Sequence, residues 1–205
     1  MKELDLLKKD WNKNDNYPKF SEQEIYAMLH KNSSSVVKWI LITSILELLL
    51  WSGMNLIFKS DDYIKKNNIS SFMEYFYVVD IFHYTIIAVF IIAFYKNYRN
   101  ISVISSTKNL MDSILKTRKT VQYYIWYNLG MIAFSFILGA ILAFNSNVEL
   151  EKLSANTDFK YGFLIGFSLV LVIVMVLFWV IYRLIYGTLL RKLLKNHKEL
   201  KKINL

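Results

Sequence analysis

Three ionisable side chains, Glu47, Asp80 and His83, lie within stretches of the sequence that are otherwise strongly apolar. Glu47 interrupts the run "SILELLLW", while Asp80 and His83 are three residues apart, which places them on one face of a helix. Charged groups are costly in hydrocarbon, so they usually face the interior of a helical bundle and have a partner there. We therefore predict that the three side chains form an intramembrane polar cluster, with Glu47 near the membrane midplane.

Four interpretations of this cluster are open at the level of sequence. Glu47 is a protonated group that is hydrogen-bonded across helices, or it forms an ion pair with His83 while Asp80 holds the imidazole. Alternatively, the cluster belongs to a proton or ion path, or its three side chains bind one metal ion. The metal interpretation falls short of the di-metal bundle pattern, which needs two Glu-x-x-His pairs and two further carboxylates. We accordingly predict no bound metal, no cofactor and no catalytic residue.

The elements that must position these side chains are four apolar runs, each long enough to cross about 30 Å of hydrocarbon as a helix. The runs cover, approximately, residues 36–58, 76–95, 123–144 and 161–186. The chain of 205 residues is 55% hydrophobic and has one proline, a composition more apolar than that of a typical soluble domain. We predict an all-α fold class: a polytopic membrane protein with four transmembrane helices and short amphipathic cytoplasmic helices.

Lysine and arginine are distributed unevenly among the segments that flank the runs. The amino-terminal segment, the second loop and the carboxyl-terminal segment carry seven, six and seven of them, whereas the first and third loops carry three and two. The positive-inside rule then places both termini in the cytoplasm. The net charge of +9 therefore has a topological explanation, and we predict no nucleic-acid partner. Tyr124, Tyr182 and Tyr186 fall near the predicted inner interface, where amphipathic rings prefer to lie.

Residues 1–35 are predicted to form a cytoplasmic amphipathic arm of two short helices. The second helix has a capping box, with Ser21 as N-cap and Glu24 three residues later. This arm packs on the inner mouth of the bundle or on the headgroups, or it docks a cytosolic protein partner. The candidate docking residues, which are the apolar residues on the two helix faces, are Leu4, Leu7, Trp11, Ile25, Met28 and Leu29.

The transmembrane bundle is predicted over residues 36–187, and a basic amphipathic tail follows over residues 188–205. The second loop and the tail each place leucines on one helical face, including Leu110 and Leu193, with basic residues at other positions. A basic amphipathic helix beside a membrane most often rests on anionic lipid. The lipid bilayer is therefore the expected partner of both segments.

Small residues at four-residue spacing indicate a further packing feature. Gly162 and Gly166 form one such pair, and Gly139 and Ala143 form another. This spacing lets helix backbones approach closely. We predict that these pairs mediate packing within the bundle, and the sequence leaves the oligomeric state open.

Two segments near the amino terminus carry a family resemblance. The string "LDLLKKDWN", followed by "YPKFSEQEIYAMLHKNSSSVVKWI", resembles a family of small bacterial four-span membrane proteins of unknown function with a DLLKKDW-type amino terminus. Members often lie beside a sigma factor, so the resemblance implies membrane signalling or sigma regulation. Members are also often labelled beta-carotene monooxygenase. Carotenoid oxygenases hold iron with several histidines, whereas only His83 lies in a predicted span here.

The leading functional hypothesis is a non-enzymatic integral membrane regulator or scaffold that engages a cytosolic partner through residues 1–35. Its basis is the capped, amphipathic, mixed-charge arm joined to a compact bundle. The alternative is a membrane protein that binds or moves a proton, a metal or a small lipophile at Glu47, Asp80 and His83.

Overall fold

The computed structural model describes residues 20–58, 73–103, 106–146 and 157–203 of the chain, and every regular element among them is an α-helix. In chain order the helices are α1 (Glu22–Phe58), α2 (Met73–Val103), α3 (Thr107–Ser146) and α4 (Thr157–Ile203). Each is long and apolar enough to cross a membrane. The predicted all-α fold class is confirmed, and the chain is a multi-pass membrane protein.

The helices form an up-and-down bundle in chain order. α1 packs against α2 and α4, and α3 packs against the same two helices, so α1 and α3 are diagonally opposite. The Asn97 amide of α2 donates to the Thr120 hydroxyl of α3 at 3.4 Å, because the end of α2 meets the start of α3. We use "basal end" for the end of the bundle where α1 begins, α2 passes into α3 and α4 ends. The opposite end is the distal end.

The best-packed core lies toward the basal end. All four helices contribute side chains that have no exposed surface, namely Val37 of α1, Ile101 of α2, Leu110 of α3, and Leu193 and Leu200 of α4. Apolar side chains that meet in this way close the basal end of the bundle around a common axis.

The two amphipathic segments belong to this basal core. They are the first turns of α3 and the last turns of α4, continuous with the apolar parts of those helices. Of the leucines that we expected to rest on lipid, Leu110, Leu193 and Leu200 are instead fully buried, whereas Leu115 is exposed. Because the buried faces meet inside the bundle, basic residues such as Lys116 and Lys192 remain on its outer surface.

A polar contact also joins α1 to α4 at the basal end. The Asn196 amide donates to the Ser33 hydroxyl at 3.0 Å, and its carbonyl oxygen accepts from the Asn32 amide at 3.2 Å. Asn196 and Ser33 are almost fully buried. Buried polar groups of this kind fix the register of two helices, because any shift would leave them without partners.

Outside the basal core, the helices present apolar side chains outward. Leu169, Ile173 and Val176 of α4 are each more than half exposed. Large apolar side chains in such numbers are typical of a lipid-facing surface. This surface agrees with the assignment of a multi-pass membrane protein.

The small residues are not sites of close helix approach within the chain. A methyl group added at Gly139, Gly162 or Gly166 would meet no atom within 4 Å. Gly139 and Gly166 border a cavity of about 580 Å³ between α3 and α4. The predicted packing role of these glycines is therefore wrong, because no neighbouring helix lies within contact distance of such a methyl group. The side chain of Ala143 lies outside the described set.

The predicted capping box begins α1. The Ser21 amide donates to Glu24 Oε2 at 2.8 Å, and the Glu24 amide donates to Ser21 Oγ at 3.2 Å. These bonds satisfy amide groups that have no partner within the first turn of a helix. α1 then continues without a break to Phe58, so the capped segment is the first part of the spanning helix.

The candidate docking residues of the amino-terminal arm are only partly available at the surface. Met28 is exposed, Ile25 is half-buried, and Leu29 packs against the core. The remaining three candidates, which lie outside the described residues, are Leu4, Leu7 and Trp11.

Candidate functional site

The Glu47 carboxylate lies inside the bundle and is held by three tyrosine hydroxyls. Tyr124 of α3 donates to Oε2 at 2.9 Å, and Tyr186 of α4 donates to the same oxygen at 3.2 Å. Tyr182 of α4 donates to Oε1. The three tyrosines have only 1–4% of their surface exposed. Three donors satisfy most of the hydrogen-bonding capacity of a carboxylate, which explains why an acidic residue is tolerated in an apolar run.

Helix geometry brings these hydroxyls together. Tyr182 and Tyr186 are four residues apart on one face of α4, and their rings stack with centroids 6.0 Å apart. The Tyr124 ring meets Tyr186 edge-on at 5.8 Å and meets Phe94 of α2 edge-on at 5.5 Å. Side chains from all four helices therefore converge at the level of Glu47.

Glu47 has aromatic and basic side chains near it along α4. Its partners Tyr182 and Tyr186 flank Arg183, whose guanidinium carbon lies 4.9 Å from the centroid of the Trp179 ring. Tryptophan and arginine are typical of the membrane–water interface. The depth of Glu47 in the membrane, expected near the midplane, stays a prediction.

His83 and Asp80 lie on α2, one turn or more distal to Glu47. His83 Nδ1 is 3.1 Å from the Tyr127 hydroxyl, and the two rings stack with centroids 5.7 Å apart. Asp80 interacts electrostatically with His83. The geometry favours a hydrogen-bonded Glu47 over an ion pair between Glu47 and His83, because each of the two side chains has tyrosine partners of its own.

The three predicted cluster residues nevertheless border one cavity. It has a volume of about 590 Å³ and is lined by side chains from all four helices. Glu47, Asp80 and His83 provide its carboxyl and imidazole groups, while most of the remaining lining is aliphatic or aromatic. In the part of the chain that the structure describes, no group of three or more histidine, aspartate and glutamate side chains is arranged to hold a metal ion.

The part that the tyrosines play in the site was not predicted. From the sequence, Tyr124, Tyr182 and Tyr186 were expected near the interface as amphipathic rings. A local signal existed for two of them, because a four-residue spacing within an apolar run sets two hydroxyls on one helical face. Tyr124 has no such signal, since only the packing of α3 against α4 brings its hydroxyl to Glu47.

Fold and site together define a class of protein: a four-helix, multi-pass membrane protein with a carboxylate-bearing cavity between its helices. The chain belongs to the family described as a domain of unknown function (DUF8845), whose sequence profile matches residues 23–205. The match takes in almost the whole helical bundle. No curated protein and no solved structure matches the chain. Function must therefore be inferred from the site.

Proposed function

We propose that this chain is a non-enzymatic protein of the bacterial cytoplasmic membrane that binds a small lipophilic molecule between its helices. The observation that carries the proposal is the cavity of about 590 Å³ bordered by Glu47, Asp80 and His83. Sites for small molecules are concave, mostly apolar and provided with a few polar groups that orient the ligand. The cavity has each of these properties.

The distribution of groups along the cavity suggests how such a molecule would lie. Glu47 and Tyr124 are at its basal end, and Phe136 lines it twelve residues further along α3. Twelve helical residues correspond to about 18 Å at about 1.5 Å per residue. An elongated ligand would place its polar head at Glu47 and its apolar body toward Phe136.

The test is whether a lipophilic compound co-purifies with the protein and depends on space in the cavity. Val174 lines the cavity, whereas Val176, two residues further along α4, is 54% exposed. Wild type, Val174→Trp and Val176→Trp would be purified in native-lipid nanodiscs, and their extracts would be compared by mass spectrometry. We expect one compound to accompany wild type and Val176→Trp and to be lost from folded Val174→Trp. If the three extracts do not differ, the proposal fails.

The cytoplasmic location of both termini is part of the same proposal and is supported by the excess of basic residues in the alternate segments. The chain has no cysteine, so single cysteines report on sidedness without background. We expect Lys198→Cys to react with an impermeant maleimide only in inverted membrane vesicles, and Lys66→Cys to react only in intact spheroplasts. The reverse pattern would overturn the proposed orientation.

A second candidate function is a regulator or scaffold that engages a cytosolic partner, such as a sigma factor, through residues 1–35. The observation in its favour is the exposure of Phe20 and Met28 at the basal end. The resemblance of the amino-terminal segment to proteins found beside sigma factors supports the same candidate. The two functions are compatible, since a ligand in the bundle could regulate a partner at the arm.

An in-membrane crosslinking pull-down tests whether the chain acts as a regulator or scaffold that binds a cytosolic partner. The full chain would be compared with a chain lacking residues 1–19 and with Met28→Asp. A longer deletion through Ser33 is unsuitable, because Ser33 is buried and bonded to Asn196. We expect one cytosolic protein to be lost from both variants and kept by Leu115→Asp, a control at another exposed apolar residue. Identical recovery from all four proteins would remove this candidate.

A further inference from the structure

We propose that the ligand of this cavity is an amphiphilic cation, such as a long-chain amine, whose ammonium head pairs with the Glu47 carboxylate. This inference rests on the proposed function and specifies the class of ligand. Four observations support it: the sign of the charges around the cavity, the direction of the hydrogen bonds at Glu47, the aromatic lining and the length of the space.

The charges around the cavity favour a cation. Its lining has two carboxyl groups, Glu47 and Asp80, and one imidazole, His83, and neither lysine nor arginine occurs among the described residues that line it. This lining contrasts with the whole chain, which carries a net charge of +9. The interaction between two charges is much stronger away from bulk water. Two carboxylates would therefore attract a cationic head and repel an anionic one.

The hydrogen bonds at Glu47 leave an acceptor for the ligand. Tyr124, Tyr182 and Tyr186 all donate to the carboxylate, so their protons are already committed to Glu47. An anionic head would have to take those donors away from Glu47 and approach the carboxylate as well. A carboxylate can accept about four hydrogen bonds, so three tyrosines leave one position for a donor such as an ammonium group. Glu47 itself borders the cavity, so this position can be reached from it.

Aromatic rings lie on the cavity side of the carboxylate. Trp51 and Phe178 pack with their centroids 5.9 Å apart, and both line the cavity together with Tyr84 and Tyr182. The face of an aromatic ring attracts a cation that lies within about 6 Å of the ring centroid. The same rings provide apolar surface for the first carbons of an alkyl chain, so one lining suits both parts of the molecule.

The length of the cavity suits a single long alkyl chain. The helical rise puts about 18 Å between the levels of Tyr124 and Phe136, which matches the length of an extended alkyl chain of many carbons. A cavity of about 590 Å³ is also in the range of sites that hold one small molecule. We therefore infer a single-chain amphiphile.

Quenching of Trp51 fluorescence by brominated ligands tests this inference directly. In the test protein the other four tryptophans are replaced by phenylalanine, so that Trp51, which lines the cavity, is the only reporter. In the control protein the only tryptophan is Trp126, which is 69% exposed and does not line the cavity. Both proteins are placed in phosphatidylcholine nanodiscs and titrated with a dibrominated octadecylamine, the matched fatty acid and the matched alcohol.

We expect the amine to quench Trp51 saturably at concentrations where Trp126 shows only the linear quenching of bilayer partitioning. The acid should show no saturable phase. Glu47→Gln should weaken binding of the amine by about tenfold or more, because the buried charge pair is lost. The same change should weaken binding of the alcohol much less, because the amide oxygen of glutamine still accepts a hydrogen bond from a hydroxyl. Glu199→Gln, at an exposed residue paired with Lys202, should have no effect on either ligand.

The outcomes separate the two proposals. If amine, acid and alcohol all quench Trp51 saturably and equally, the cavity binds lipophiles but the inference of a cationic head is wrong. Stronger binding of the acid would also overturn that inference. If none of the probes quenches Trp51 beyond the Trp126 control, the proposed function itself fails.

Discussion

Glu47 of α1 and Tyr124 of α3 are joined by a hydrogen bond of 2.9 Å across the diagonal of the bundle. The main packing surfaces of α1 and α3 face α2 and α4, so this bond links two helices that otherwise meet little. Through Tyr182 and Tyr186 the same carboxylate is also bonded to α4. One side chain thus connects three helices at the basal end of the cavity.

The first prediction concerns the loss of this carboxylate. Glu47→Ala removes the acceptor of three buried hydroxyls, and each buried polar group left without a partner costs about 1–3 kcal/mol. We expect a clear loss of stability in detergent, measured by thermal unfolding. Glu47→Gln retains an acceptor oxygen and should lose less. If Glu47→Ala were as stable as wild type, the tyrosines would not depend on this residue.

The second prediction compares neighbouring tyrosines of α3. Tyr124→Phe removes one donor to Glu47 while keeping the ring that packs against Phe94. Hydrogen bonds between membrane helices contribute about 0.6 kcal/mol on average and up to about 1.7 kcal/mol, so a loss in this range is expected in unfolding by sodium dodecyl sulfate. Tyr123→Phe, at a residue that is 67% exposed, should change nothing. Equal effects of the two changes would contradict the assigned bond.

The helical fold was predictable from sequence because its signals are strong and local. Four long apolar runs and a single proline predict four spans, and the asymmetry of basic residues predicts their orientation. The helix ends were less predictable. α3 and α4 begin or continue well outside the apolar runs, because their leucine faces are buried by other helices and not by lipid. A pattern within one segment does not show which surface will cover it.

The site was predictable only in part. Glu47, Asp80 and His83 do border one cavity, as their common apolar surroundings suggested. The sequence allowed a hydrogen-bonded Glu47 but did not identify its partners, because only charged groups within the spans, such as His83, stand out from the apolar residues. Tyr124 lies 77 positions from Glu47, and a contact over that separation depends on how whole helices pack.

The third prediction concerns the basal contact between α1 and α4. Asn196→Ala leaves Ser33 and Asn32 without their partner, so we expect destabilisation of about 1–3 kcal/mol. The carboxyl-terminal turns should also become more sensitive to protease. Asn109→Ala, at an exposed residue near the same end, is the matched control. Unchanged stability and protease resistance in Asn196→Ala would show that this contact does not hold the two helices together.

The fourth prediction distinguishes a tail packed in the bundle from one lying on lipid. Leu193 is fully buried, and its neighbour Lys192 is exposed. Because the wild-type chain has no cysteine, Leu193→Cys and Lys192→Cys can be labelled individually with a soluble maleimide. We expect the buried cysteine to react at least about tenfold more slowly than the exposed one, since its labelling requires local opening of the helix. Equal rates would contradict the basal core.

The fifth prediction concerns Gly166. A methyl group there meets no atom within 4 Å, and alanine has a higher helix propensity than glycine by about 1 kcal/mol. Gly166→Ala should therefore be neutral or stabilising in thermal unfolding of the purified protein. Gly162→Ala should behave in the same way. A loss of stability in either variant would mean that another molecule packs closely against these residues.

The contact between Asn32 and Asn196 has a consequence for how the protein is made. The two residues are 164 positions apart, so the ribosome completes α1 long before it begins the end of α4. During synthesis the start of α1 therefore lacks the Asn196 side chain that later bonds Ser33 and Asn32. A chain that stops before Asn196 would keep this surface uncovered, and proteases that survey the membrane could distinguish it from a finished chain.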